Sequence, residues 1–329
     1  MIYIAKCPYR ISLLGGGSDL DWFVKDNGLG LSLGFAIESY SRVILSFRNP
    51  KIKKGLLNYS SREEYSDLES ISHPIIRSVF KKLNFTKPVE LASFGEIIIG
   101  TGLASSSSFT VALLKAGSKL NGKELNNTQI AKIACEIEIE DLGLPIGRQD
   151  QYLCALGGIN MLSFKPKGEV NIITSKKVES VVKTFTENLY LINTFISRSA
   201  SVTLQKIKES KDSFSEILEI QKICKKFFEI SETLEETQLV DLLEELIIES
   251  WNRKKRLDRV LNPELISIEQ EINNLGFKTL KLLGAGGGGY FLVKYDGVNL
   301  AQKESQLRSK NLSLSKVNLS KKGCDIWDI

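Results

Sequence analysis

The chain has 329 residues, 42% hydrophobic and 25% charged, the composition of a folded globular protein large enough for two ordinary domains. Its net charge of +5, from 44 basic and 39 acidic residues, is too small for a nucleic-acid partner but can draw anionic small molecules to a cleft. Five scattered cysteines without a C-x-x-C pair, no basic-then-apolar leader and no apolar run near the ~20 residues that span a bilayer predict a cytoplasmic protein with reduced thiols and no membrane partner.

Residues 1–14 read as a strand interrupted at Pro8, and Gly15-Gly-Gly-Ser-Asp19 as a loop opening a short helix through Leu20 and Phe23. Alternation over Leu31–Phe35 and Tyr40–Phe47 predicts two strands joined by a turn. Residues 49–72 are polar and weakly patterned, a surface excursion. A helix is predicted over His73–Leu83, with Pro74 in its first turn, and an apolar strand over Val89–Phe94.

The stretch Gly100-Thr-Gly-Leu-Ala-Ser-Ser-Ser-Ser-Phe109 follows that strand and opens a helix whose apolar face carries Phe109, Leu113, Ala116 and Leu120. The first N–H groups of a helix lack intrahelical partners, and the helix dipole adds partial positive charge there. Glycine admits a phosphate close to the backbone, and serine supplies hydroxyls. The stretch reads equally as a serine-rich helix cap or as a phosphate site.

Another helix is predicted over 128–142, its apolar face marked by Ile130, Ile133, Ala134 and Ile137, and the stretch Gly143-Leu-Pro-Ile-Gly-Arg-Gln-Asp150 breaks it. A strand follows over Ile159–Phe164. The polar residues 165–180 approach a domain boundary, dividing the chain into 1–180 and 181–329. Beyond it come a strand at Leu189–Thr194, three or four helices over 199–275, strands at Lys278–Leu283 and Tyr290–Val293, a helix at 299–309 and a strand at 312–319.

The run Gly284-Ala-Gly-Gly-Gly-Gly289 matches G-x-G-x-x-G only formally, because a strand follows it instead of a helix. Four consecutive glycines exceed the needs of a hairpin and point to a backbone pressed against a ligand or against the serine loop. No G-x-x-x-x-G-K-[ST] occurs, since Glu124 follows Gly122-Lys123, and the H-R-D and D-F-G motifs of protein kinases are absent. His73 is the only histidine, so a multi-histidine metal site is excluded and any general base is expected to be a carboxylate.

Three glycine-bearing stretches, Arg10–Asp19, Gly100–Ser108 and Gly284–Gly289, resemble in order and spacing those of the GHMP kinase family of small-molecule kinases. The resemblance covers nearly the whole chain. Pro8-x-Arg10, the Gly15-Gly-Gly-Ser-Asp19 run (where galactokinases have Gly-Glu-His) and Gly147-Arg-Gln-Asp-Gln-Tyr152 are similar to the branch that phosphorylates heptose 7-phosphates. The interval from Gly143 to Asp150 is one residue longer than in mevalonate kinases.

The resemblance implies an α+β, two-domain GHMP kinase fold with the active site in the interdomain cleft, and ATP and Mg2+ as cofactors. It implies a small-molecule acceptor, a sugar or sugar phosphate. Asp150 would be the catalytic aspartate and Arg10 the basic catalytic residue beside it. Gly100, Gly102, Leu103, Ala104, Ser105, Ser106 and Ser107 would hold the ATP phosphates. Gly16, Gly17, Ser18, Asp19, Gly286 and Gly287 would contact the acceptor, Asp19 by accepting sugar hydroxyls unless it is only a helix cap. Ser106 and Glu138 would be the magnesium ligands. Helical phase alone does not choose between Glu138 and Glu140; family spacing favours Glu138. A heptose 7-phosphate requires a second anion site, for which Arg148, Lys6 and Arg198 are the expected candidates.

Overall fold

One long strand serves two cores, and two residues of the candidate site, Arg10 and Ser12, lie along it. The computed structural model describes residues 1–97, 100–197, 200–210, 212–257 and 260–328. β1 (Ile2–Leu14) runs antiparallel to the 18-residue β2 (Gly30–Phe47), and α1 (Asp21–Asn27) lies in the connection. The two strands expected at 31–35 and 40–47 are thus one. The expected turn is a bulge instead: Pro8 faces Tyr40 while Tyr9 faces Ile37, leaving Glu38 and Ser39 as extra residues. Two polar residues between apolar runs imitate a turn signal, and Pro8, which has no N–H to donate, sits at the irregularity.

The chain then forms β3 (Gly55–Asn58), β4 (Arg62–Tyr65), α2 (Pro74–Lys82) and β5 (Val89–Gly95). The polar excursion therefore adds a hairpin to the sheet, with β3 parallel to β5. Three helices follow, α3 (Ser105–Leu120), α4 (Asn127–Cys135) and α5 (Gln149–Leu156), then β6 (Ile159–Lys165) and β7 (Glu169–Ile173). β6 pairs with Gly30–Phe35 of β2 and β5 with Ser41–Phe47, so β2 carries two neighbours in succession along one edge.

α6 (Lys176–Thr186) leads into β8 (Leu189–Asn193) and four helices, α7 (Ala200–Glu209), α8 (Ser213–Ile230), α9 (Glu236–Lys254) and α10 (Pro263–Asn274). β9 (Lys278–Leu282), β10 (Tyr290–Lys294), α11 (Leu300–Arg308) and β11 (Ser313–Lys316) complete a four-stranded sheet of order β11-β8-β10-β9. β12 (Asp325–Asp328) returns to the first, eight-stranded sheet beside β1. The architecture is the expected α+β arrangement.

Burial assigns β1 its two duties. Ala5 and Cys7, before the irregularity, belong to the core formed with α2, α3, α4 and α5. Tyr9, Ile11 and Leu13, after it, belong to a core shared with α6, α8, α9 and the second sheet. Each fully buried aliphatic or aromatic side chain here contributes roughly 1.5–3 kcal/mol relative to exposure. The intervening residues, Arg10 and Ser12, line a cavity between these layers.

Candidate active site

The cavity has a volume of about 510 Å³ and draws its walls from both halves of the chain. Arg10 and Ser12 of β1, Gly16, Gly17, Asp19 and Leu20, most of the serine loop, and Gly147, Gln149 and Asp150 supply one side; α7, α8, α9, β9 and Gly284, Gly286 and Gly288 supply the other. The serine loop is built to leave a helix end open. Gly100 and Gly102 take φ of 83° and 86°, and Ala104, the residue before α3, takes φ of 62°. A left-handed conformation at a residue with a Cβ costs on the order of 1 kcal/mol. No side chain caps α3, so its first turn, with Ser105, Ser106 and Ser107, is presented to the cavity. The loop is tied to β1, since Arg10 N–H donates to the Leu103 carbonyl at 3.2 Å and Arg10 Nη1 donates to the Gly102 carbonyl at 2.8 Å.

The same guanidinium grips Asp150. Nε donates to Oδ1 at 2.7 Å and Nη2 to Oδ2 at 2.6 Å, a fork that fixes the plane of the carboxylate. Asp150 stands in the first turn of α5, where a negative charge is favoured, and its side chain is 26% exposed, open to the cavity. The break at 143–150 was expected; the short helix that begins within it was not.

Asp19 lies beside this pair and is not the cap of α1, whose preceding residue is Leu20. The Gln149 side-chain amide donates to Oδ1 at 2.9 Å, Gln149 N–H to Oδ2 at 3.1 Å and Gly17 N–H to Oδ1 at 3.2 Å. Burial, and then the charge of Asp150, push its carboxyl up to about 6. A Cβ at Gly147 would fall 1.9 Å from Asp19 Oδ2, so only glycine lets the 147–150 stretch close on this carboxylate.

Glu138 is fully buried behind the serine loop. It accepts from Gln151 Nε2 at 2.6 Å, Ser107 Oγ at 2.9 Å, Thr110 Oγ1 at 2.9 Å and Ser106 Oγ at 3.3 Å. Burial pushes its carboxyl up, and these donors pull it back. The backbone selects this residue over Glu140: α4 continues as a π-helical turn over Glu136–Asp141, which changes the angular step along the helix. Glu138 turns inward, while Glu140 is 56% exposed and meets Arg148. A hydroxyl and a carboxylate 3.3 Å apart are hard oxygen donors that fit Mg2+, an ion that usually takes few protein ligands and completes its shell with water and phosphate.

Several expected residues are placed elsewhere. Arg148 does not line the cavity: its Nε and Nη2 each bond Asp21 at 2.8 Å and Nη2 reaches Glu140 at 3.3 Å, so the guanidinium is engaged by carboxylates on the far side of the 147–150 stretch. Lys6 lies 3.6 Å over the Tyr40 ring, also away from the cavity. Arg198 lies outside the described residues. Ser18 is a latch between loops, donating to the carbonyls of Gly15 and Leu31 at 2.8 Å each. Leu103 is buried, and Gly287 donates its N–H to Val260. None of these three lines the cavity, whereas Gly16, Gly17 and Gly286 do. His73 packs its ring 4.9 Å from Tyr59 and 5.6 Å from Phe109.

Two basic cavity residues were not anticipated. Lys254 at the end of α9 and Lys281 on β9 both face the cavity. Lys281 carried a readable signal, a lysine between leucines in a strand leading into the glycine run. Lys254 lies among other basic residues at a helix end and carried none.

Residues 71–158 match the GHMP kinases N terminal domain. The chain is 28% identical to the D-glycero-alpha-D-manno-heptose 7-phosphate kinase of Campylobacter jejuni over 98% of both proteins. It is 27% identical to the mevalonate kinase of Saccharolobus solfataricus, again over 98% of both. Among solved structures, a D-glycero-D-manno-heptose 1-phosphate kinase from Bacteroides thetaiotaomicron superposes with a TM-score of 0.76 over 99% of each chain at 20% identity, a likeness of fold. The chain thus carries a GHMP kinases N terminal domain over the serine loop and is similar from end to end, in sequence and in fold, to kinases that share it.

Proposed function

We propose that the protein transfers the γ-phosphoryl group of ATP to the anomeric hydroxyl of D-glycero-D-manno-heptose 7-phosphate. The product would be the 1,7-bisphosphate, an intermediate toward nucleotide-activated heptose for surface polysaccharide. The observation that carries the reading is the Arg10–Asp150 fork, open to a cavity that the uncapped end of α3 also faces. The end-to-end similarity to a heptose 7-phosphate kinase supports the acceptor.

Phosphoryl transfer asks mainly for positioning and charge stabilisation. In this reading Gly100, Gly102 and the first turn of α3 hold the phosphates of ATP. Asp150 orients the acceptor hydroxyl and receives its proton. Arg10 fixes Asp150 in place and offsets negative charge on the group in transfer. Asp19 accepts hydrogen bonds from sugar hydroxyls, and Gln149 holds Asp19. Ser106 and Glu138 would hold Mg2+, which when bound neutralises charge on the ATP phosphates.

One observation favours a second reading. Leu204, Ile207, Ile217 and Ile220 form an apolar wall, which suits a less hydroxylated acceptor such as that of the mevalonate kinase relative. Magnesium-dependent ADP release decides among acceptors. The panel is D-glycero-D-manno-heptose 7-phosphate, sedoheptulose 7-phosphate, fucose, galactose, mannose and mevalonate. Turnover confined to a phosphorylated heptose is expected. Turnover on a free sugar or on mevalonate alone would replace the acceptor. Binding of ATP with no turnover on any acceptor would instead support a sugar and ATP sensor. Asp150→Asn is expected to bind ATP normally and to lower turnover about 100- to 10,000-fold. Near-normal turnover would remove Asp150 from the chemistry.

A further inference from the structure

The cavity holds two ammonium groups that the transfer machinery leaves unused. Lys281 is 5% exposed and donates to the Leu13 carbonyl at 2.9 Å. Lys254 keeps some accessible surface, with its ammonium deep in the protein, and donates to the Leu282 carbonyl at 3.0 Å and the Gly284 carbonyl at 2.5 Å. An ammonium has three N–H donors, so these bonds leave one on Lys254 and two on Lys281. Among the described residues, no carboxylate is paired with either. Their charged neighbours are mostly positive. Burial, then Lys281 and Arg10, push Lys254 well down from the ordinary lysine value. Burial and Arg10 bring Lys281 to about 8, against a small opposing effect of the Cys224 thiol on α8. Like charges gathered out of water are costly until an anion joins them.

A second observation points to the same place. Ser12 is 7% exposed and lines the cavity, and among the described residues its hydroxyl has no hydrogen-bond partner. Gly16 stands over it without a side chain; a Cβ there would come to 3.5 Å from Ser12 Oγ. Ser12 follows Arg10 by two residues on β1, so both side chains leave the same face, about 7 Å apart along the strand. That spacing is comparable to the distance from the anomeric oxygen of a pyranose to its exocyclic tail. Lys281 reaches the carbonyl next to Ser12, at the end of this spacing away from Arg10.

We propose that Lys281, Lys254 and Ser12 form a phosphate-monoester subsite that holds the distal phosphate of the acceptor, separate from the serine loop that takes the phosphates of ATP. The subsite rests on the phosphorylated-sugar reading above and names the groups that select that substrate over a free sugar. It takes the place expected for Arg148 and Lys6, both of which lie away from the cavity.

Steady-state kinetics of Lys281→Met, Lys254→Met and Ser12→Ala with D-glycero-D-manno-heptose 7-phosphate test it. KM for the phosphorylated heptose is expected to rise about tenfold to a hundredfold in the lysine variants and less in Ser12→Ala, with KM for ATP within twofold. Binding of unphosphorylated heptose, read by calorimetry, is expected to be the same in these variants as in the unaltered protein. An equal rise in KM for ATP would assign the lysines to the nucleotide and overturn the subsite. A measurement on the unaltered protein guards against variants that fail to fold: calorimetry at pH 8 in two buffers of different ionisation enthalpy. Heptose 7-phosphate is expected to bind with proton uptake, as a dianion restores the lysine protons, and free heptose without it. Wild-type turnover of heptose 7-phosphate with no uptake and unchanged KM in the variants overturns the subsite alone. Absence of both turnover and binding of any phosphorylated heptose overturns the subsite together with the proposed function.

Discussion

A Cβ on Gly284 would lie 2.4 Å from the Cα of Gly102, so the glycine run between β9 and β10 meets the serine loop backbone against backbone. The contact is reciprocal, since a Cβ on Gly102 would lie 2.6 Å from the Leu283 carbonyl oxygen. A third contact repeats it farther along, where a Cβ on Gly289 would fall 2.2 Å from the Thr101 carbonyl oxygen. The excess of glycine therefore lets one loop support the other from the opposite half of the chain.

Gly284→Ala should displace the serine loop and weaken ATP binding tenfold or more. Gly122→Ala is the control. Gly122 has a similar φ, 71° against 69° at Gly284, but nothing lies within 4 Å of its added Cβ. It should cost only the left-handed strain, on the order of 1 kcal/mol, and leave ATP affinity alone. Isothermal titration of both variants with ATP checks this. Equal affinities would mean that the two loops do not depend on their contact.

Glu138→Gln and Ser106→Ala should each raise the magnesium concentration needed for half-maximal turnover several-fold. Glu140→Gln, at a side chain more than half exposed and bonded to Arg148 outside the cavity, should leave that titration where it is. Removing the charge of Glu138 keeps its size; an amide oxygen in the Oε2 position still accepts from Ser107 and Gln151, and the Thr110 hydroxyl can turn to accept from the new amide N–H, so folding should survive. A shift with Glu140→Gln and none with Glu138→Gln would reverse the choice made by the π-helical turn.

Asp19 should make acceptor binding pH-dependent. Its folded carboxyl is raised to about 6, so the protonated form is favoured by folding. The associated stability is full below the ordinary carboxylate range, near pH 4, and is lost as pH rises through about 6. Function runs the other way, because only the ionised carboxylate accepts two hydroxyl bonds. KM for the acceptor should therefore rise as pH falls from 7.5 to 5.5. The phosphate of a sugar phosphate titrates near 6 as well, so the comparison is with Asp19→Asn, which should be weaker throughout and keep only the limb due to the substrate. Identical profile shapes in the two proteins would take Asp19 out of acceptor binding.

Most of the elements were legible because local periodicity and turn chemistry agree over them. The serine loop and the glycine run were legible as stretches of unusual composition, and Arg10 and Asp150 became candidates only through the resemblance of those stretches, in order and spacing, to the GHMP kinase family. The errors came where a local signal had two meanings. Glu38-Ser39 looks like a turn and is a bulge, since a strand long enough to serve two neighbours can absorb extra residues without reversing. Arg148, adjacent to a catalytic candidate in sequence, looks like a substrate ligand. It is on the other side of its segment because Asp21, far away in the chain, offers a complete carboxylate fork.

By itself, the sequence carried the α+β class and, through its resemblance to the GHMP kinase family, the candidate phosphate loop and the candidates Arg10 and Asp150, because strand alternation and glycine-bearing stretches are properties of a few neighbouring residues. Only the tertiary structure shows Glu138 turned inward and Glu140 exposed, because the π-helical turn shifts the facing of side chains by an amount no regular period encodes. It alone also brought Lys254, Lys281 and Ser12 to one cavity. They come from a helix end and two strands in different sheets, and the two buried lysine charges meet the Ser12 hydroxyl only when those elements pack.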